Sequence, residues 1–210
     1  MPTKVDVYLD YVCPFCFLIE DAIAELKHAR DVDIELKPFE LRPDPVPTLR
    51  PEDGYLPRVW KQSVYPMAER LGFDITLPTI SPQPRTEKAL LVFQLARQKG
   101  VPEEYSEAMF KAFFQQHRNI GDDEVIIDVA ASVGLEREDV ERALASEEFR
   151  AKHRAELEHA VKDLAIEAVP SIFVDGELVC GVPSATRLKK VVDQAVQRQR
   201  QEVADESIHP

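Results

Sequence analysis

The 210-residue sequence predicts an α/β fold: a four-stranded mixed sheet whose second and third strands are separated by an all-helical insertion. Three observations predict it. Lys4 to Tyr11 and Asp33 to Phe39 alternate apolar and polar residues as strands do, and a helical pattern lies between them. Glu87 to Leu164 shows only helical spacing. Ser171-Ile172-Phe173-Val174 and Leu178 to Cys180 flank Asp175-Gly176, a two-residue hairpin turn.

In the first strand Val5, Val7 and Leu9 share one face. The following helix places Ile19, Ile23 and Leu26 on an apolar stripe and ends near Arg30. Ile34 and Leu36 then begin the second strand, so strand, helix and strand form a parallel βαβ unit. Pro38 to Pro84 holds ten of the chain's 16 prolines, a long connection leaving the sheet. A helix is expected at Arg58 to Leu71, kinked or broken at Pro66 because proline has no N–H to donate. Glu87 to Lys99 is a helix stopped by Gly100, and Pro102 opens the next, which carries Met109, Phe110, Phe113 and Phe114 as core residues.

Asp122 or Asp123 caps a helix that Gly134 ends, and a short helix covers Arg137 to Ala145. Glu147 to Leu164 is so charged that it reads as a largely solvated helix. After the hairpin, Ser184 caps a last helix with Leu188, Val191, Val192, Ala195 and Val196 on one face. Glu202 to Pro210 reads as a frayed tail.

The formal net charge is −12, a balance that repels nucleic acid and anionic membranes. The apolar runs are too short to span a bilayer. Met1 to Asp10 is charged where a leader peptide would be apolar. A cytoplasmic setting is therefore expected, in which structural disulfides are rare and a Cys-x-x-Cys pair is catalytic or metal-binding.

Cys13-Pro14-Phe15-Cys16 is that pair, set where the first strand turns into the first helix. Pro14 suits the first helical position. Cys13 then faces unpaired N–H groups and the positive end of the helix dipole, which favour a thiolate. Cys16 falls on the stripe with Ile19, Ile23 and Leu26 and turns inward. This is the arrangement of an exposed attacking thiol and a shielded resolving thiol. Half of a zinc site has the same spacing, as does an inert buried pair. No second ligand pair is visible among Cys180, His28, His117, His153, His159 and His209, so no metal is called and dithiol redox chemistry is favoured. Asp10 either influences the Cys13 proton or, as the favoured reading, fixes the turn. Cys180 is expected to be a small buried hydrophobe, with a third redox thiol as the alternative.

Four stretches carry a resemblance: Asp10-Tyr11-Val12-Cys13-Pro14-Phe15-Cys16, Pro38-Phe39-Glu40-Leu41-Arg42-Pro43, Met67-Ala68-Glu69-Arg70-Leu71-Gly72 and Val169-Pro170-Ser171-Ile172-Phe173-Val174. In order and separation they resemble the DsbA-like branch of the thioredoxin superfamily, especially its FrnE-like members. The resemblance implies a thioredoxin-like domain from residues 1–42 and 166–210, and a helical insertion domain over 43–165. It implies Cys13 as nucleophile, Cys16 as resolving thiol and Pro170 as a cis-proline facing them, with Pro14, Phe15 and Val169 touching substrate.

The implied activity is thiol–disulfide exchange with disulfide- or dithiol-containing proteins or small thiols. No cofactor is implied, although glutathione is admitted as a co-substrate. Phe15 stands where such members often have Trp, and Ala168 where they often have Gly, which stiffens the loop before Pro170. The same branch holds glutathione-dependent kappa-type transferases and 2-hydroxychromene-2-carboxylate isomerases. These typically have Ser at the position of Cys13, so they form the alternative reading.

Overall fold

The computed structural model describes residues 2–206. Four strands form one mixed sheet in the order β2-β1-β3-β4, namely β1 (Thr3–Leu9), β2 (Val32–Pro38), β3 (Ser171–Val174) and β4 (Glu177–Cys180). β1 runs parallel to β2, with Val5 opposite Ile34, and antiparallel to β3, with Val7 opposite Ile172. The β3–β4 hairpin turns at Asp175 and Gly176, whose φ values of 49° and 82° are the left-handed pair that such a turn requires.

Val5 and Val7 of β1 pack with Ile172, Val174 and Val179 beneath two helices. These are α2 (Glu20–Ala29), which gives Leu26, and α10 (Ala185–Glu206), which gives Leu188, Val191, Val192 and Ala195. Ser184 Oγ accepts from Arg187 N–H at 3.2 Å, the cap expected for α10. The tail beginning at Glu202 stays helical as far as Glu206, and positions 207–210 lie outside the described residues.

The helix expected from Pro14 to Arg30 divides at Ile19 (φ −91°, ψ −7°) into α1 (Pro14–Leu18) and α2. The helix at Pro66 does not break. It runs through α3 (Tyr55–Val59), a π turn (Trp60–Val64) and α4 (Tyr65–Leu71). Tyr65 N–H reaches back five residues to Trp60 O. Pro66 has no N–H to offer, and the wider turn just before it carries the chain past that gap.

Five more helices complete the insertion: α5 (Glu87–Lys99), α6 (Pro102–Phe114), α7 (Asp123–Ser132), α8 (Arg137–Ala145) and α9 (Glu147–Lys162). Met109, Phe110, Phe113 and Phe114 of α6 are fully buried, as their spacing predicts. They belong to the larger core, which also takes in Tyr11, Phe17 and Trp60. Burying one such ring stabilises by about 1.5–3 kcal/mol. Asp122 caps α7 by accepting from Glu124 N–H at 2.9 Å. α9 is mostly exposed, with His153 and Ala160 as buried exceptions to the solvated reading. Among the described residues no helix is long and apolar enough to cross a membrane.

Candidate active site

Cys13 is the N-cap of α1, in extended conformation, and Pro14 takes the first helical position. Its backbone is fixed from both sides, since Cys13 N–H donates to Asp10 O at 3.0 Å and Cys16 N–H donates to Cys13 O at 3.1 Å. Next to it, Tyr11 is fully buried and hydrogen-bonds to Ser106 of α6 at 3.0 Å, which ties the β1–α1 turn to the insertion. Phe17, one residue after Cys16, stacks on Phe110 with centroids 5.5 Å apart. α1 is therefore seated by aromatic packing on α6.

Both active-pair cysteines are free thiols. Cys13 is 6% exposed and Cys16 1%. The expected order holds, but the expected degree does not, because Cys13 is buried and not open on the surface. Its cover comes from the insertion, with Leu56, Val59 and Trp60 on one side and Pro84 to Thr86 on another, around a cavity of about 370 Å³ that Cys13 helps to line. The Cys13 thiol donates to Val169 O at 3.3 Å. The Val169–Pro170 bond is cis, as are Asp44–Pro45 and Ser81–Pro82, which the sequence did not announce. Burial, the contact with Cys13 and the Cys13 charge push the Cys16 thiol well above its ordinary value.

Asp10 is fully buried. One carboxylate oxygen accepts from Leu41 N–H at 2.8 Å, and the other has no partner. Burial is the main cause that raises its carboxyl to about 6, with the Leu41 and Thr86 hydrogen bonds opposing and the neighbouring Glu40 charge adding. Glu40 is itself 4% exposed and meets His153 Nε2 of α9 at 3.2 Å. Among the described residues no group of three or more His, Cys, Asp or Glu is placed to hold a metal ion.

Residues 4–193 match the DSBA-like thioredoxin domain family. The chain belongs to that family. It is 38% identical over 193 residues to the uncharacterised protein YwbO of Bacillus subtilis, a match that spans 91% of this chain and 96% of that one. A probable DsbA oxidoreductase from Streptomyces coelicolor has a similar structure (TM-score 0.76, 23% identity, 93% of this chain and 90% of that one). So does a 2-hydroxychromene-2-carboxylate isomerase (TM-score 0.72, 18% identity, 96% of this chain and 98% of that one). At these identities the two structures show the DSBA-like fold alone. Since both bear it, the chemistry has to be argued from the site.

On this DSBA-like frame the sequence-picked residues Cys13, Pro14, Phe15, Cys16 and Val169 converge, with Pro170 next to Val169. The Val169 carbonyl is held by the Cys13 thiol. Cys180 is a correction. It is exposed, because β4 is an edge strand whose inward residue is Val179. Sequence reasoning missed Trp60, Gln83 and Thr86 around the cavity and the buried Glu40–His153 pair. Glu40 lies 113 positions from His153, and no local cue in the charged α9 sets His153 apart from the exposed His159.

Proposed function

We propose that this protein is a thiol–disulfide oxidoreductase with Cys13 as nucleophile and Cys16 as resolving thiol. The observation that carries the reading is two free thiols one helical turn apart, with the outer one at an N-cap on a cavity floor. The Cys13 sulfur attacks a substrate disulfide, forming a mixed disulfide and expelling one substrate thiolate. The Cys16 sulfur then attacks the Cys13 sulfur, the second substrate thiolate leaves, and the pair is left oxidised. Run backwards, the same steps oxidise a dithiol.

In this reading Pro14, Phe15 and Val169 border the substrate sulfur, and Pro170 closes the site beside Val169. Residues 1–42 and 166–210 carry the chemistry, and residues 43–165 cover it. The substrates are disulfide- or dithiol-bearing proteins or small thiols, met in the cytoplasm. The presence of two thiols, where a glutathione-dependent isomerase would need one activating group, favours redox exchange over that alternative. Insulin disulfide reduction tests the reading. Wild-type protein is expected to accelerate it and Cys13→Ser to lose the acceleration, whereas equal activity in the two would overturn the assignment.

A further inference from the structure

The cavity that Cys13 helps to line holds a buried carboxamide that the exchange mechanism leaves unused. Gln83 lines the cavity and is 6% exposed. Its backbone N–H donates to Leu49 O at 2.8 Å, and prolines 82 and 84 flank it and fix φ on either side. Gly121 packs so closely beneath this loop that a Cβ there would stand 3.1 Å from Pro84 Cβ. The backbone is thus pinned. The Gln83 carboxamide nevertheless hydrogen-bonds no protein group among the described residues. Nor is it sealed away, since neither of its polar atoms is among the closed-off ones without partners. Being open to the cavity, the amide takes its hydrogen-bond partner from whatever the cavity admits, water or a ligand.

A carboxamide offers a donor and an acceptor side by side, which matches another amide. The rest of the wall mixes apolar side chains, among them Phe15, Leu56 and Trp60, with the charged residues Asp10, Arg42, Arg85 and Glu167. A volume of about 370 Å³ sits at the small end of ligand sites. We infer that Gln83 is a substrate-binding residue that pairs with an amide in the non-reacting arm of a small disulfide or thiol. The inference rests on the oxidoreductase reading and names the substrate class of the same site. In the reaction the bond from Cys13 to one substrate sulfur forms as the substrate disulfide breaks. Cys16 then closes the protein disulfide, and the protons of Cys13 and Cys16 finish on the two released thiols. The protein dithiol is oxidised and the substrate disulfide is reduced.

The test uses the pre-reduced full chain in single turnover, read by the fluorescence of Trp60, the chain's one tryptophan and part of the cavity wall. The two neutral probes are N,N′-diacetylcystamine, which carries amides, and bis(2-hydroxyethyl) disulfide, which carries none. Gln83→Met and Gln83→Leu are expected to slow the amide-bearing disulfide about tenfold, the order of a lost buried hydrogen-bond partner. The hydroxyethyl disulfide, which has no amide to pair, should be slowed far less, and circular dichroism of each variant reports an intact fold. An equal loss on both probes, or no loss on either, would overturn the inference. Failure of the wild type to react with either probe would remove the oxidoreductase reading itself.

Discussion

The thiol of Cys13 and the carbonyl of Val169 are hydrogen-bonded at 3.3 Å although 156 positions separate them. This contact joins the two ends of the DSBA-like frame, since Cys13 leaves β1 and Val169 leads into β3. Cys16, 1% exposed, lies one turn further in, with its N–H on Cys13 O.

The first prediction follows from that asymmetry. Cys16→Ser leaves Cys13 able to form a mixed disulfide with no thiol to release it, so covalent partners should accumulate. With the exposed Cys180 replaced by serine in both variants, Cys13→Ser leaves only the 1% exposed Cys16 and should trap few or none. Non-reducing gels of each variant with an oxidised substrate measure this. Equal trapping by both would contradict the assigned roles.

Much of this was legible beforehand, for local reasons. Cys16 turned inward because it shares a stripe with Ile19 and Leu26, both 2% exposed or less. The α7 and α10 caps, the hairpin at Asp175-Gly176 and the burial of Phe110, Phe113 and Phe114 are likewise written in neighbouring residues. What could not be read is what distant segments do. Cys13 is covered by Trp60 and the Pro84–Thr86 loop, and nothing near position 13 announces either. Cys180 was misplaced for another reason: a four-residue strand has too short a pattern to fix its phase, and Val179 proved to be its inward residue.

Phe17 gives a second prediction. Its ring stacks on Phe110 and Phe114 at interplanar angles of 15° and 8° and meets Phe73 edge-on at 5.2 Å. Phe17→Ala should cost about 3–5 kcal/mol, as truncations of buried phenylalanine do. Urea unfolding measures it. A loss under about 1 kcal/mol would mean that α1 is not seated by this stack.

The third prediction contrasts two histidine–carboxylate pairs on one helix. His153 and Glu40 are 2% and 4% exposed in their side chains, whereas those of His159 and Asp163 are 57% and 66%. Taking one partner from a buried pair strands the other, at about 3–5 kcal/mol. Exposed pairs contribute little. His153→Ala should therefore lower the unfolding midpoint strongly and His159→Ala leave it unchanged. Similar effects from the two would argue that Glu40 has no need of His153.

The last prediction concerns pH. Burial raises the Asp10 carboxyl from its ordinary 3.8 to about 6. A carboxyl raised on folding binds its proton more tightly in the native state. Its stabilising effect is therefore complete below pH 3.8 and is lost as pH rises towards 6, above which the buried charge is a constant burden. A rise of that size corresponds to about 3 kcal/mol, an upper bound for one partly hydrogen-bonded group. Asp10→Asn cannot ionise, yet it retains an oxygen to accept from Leu41 N–H. The stability of the variant relative to wild type should accordingly climb between pH 4 and pH 6 and level off beyond. Asparagine's own fit moves the whole curve up or down without altering that slope. Urea unfolding of both proteins at each pH from 4 to 8 gives the difference. A difference independent of pH would show that Asp10 titrates no higher in the folded protein than in the unfolded chain.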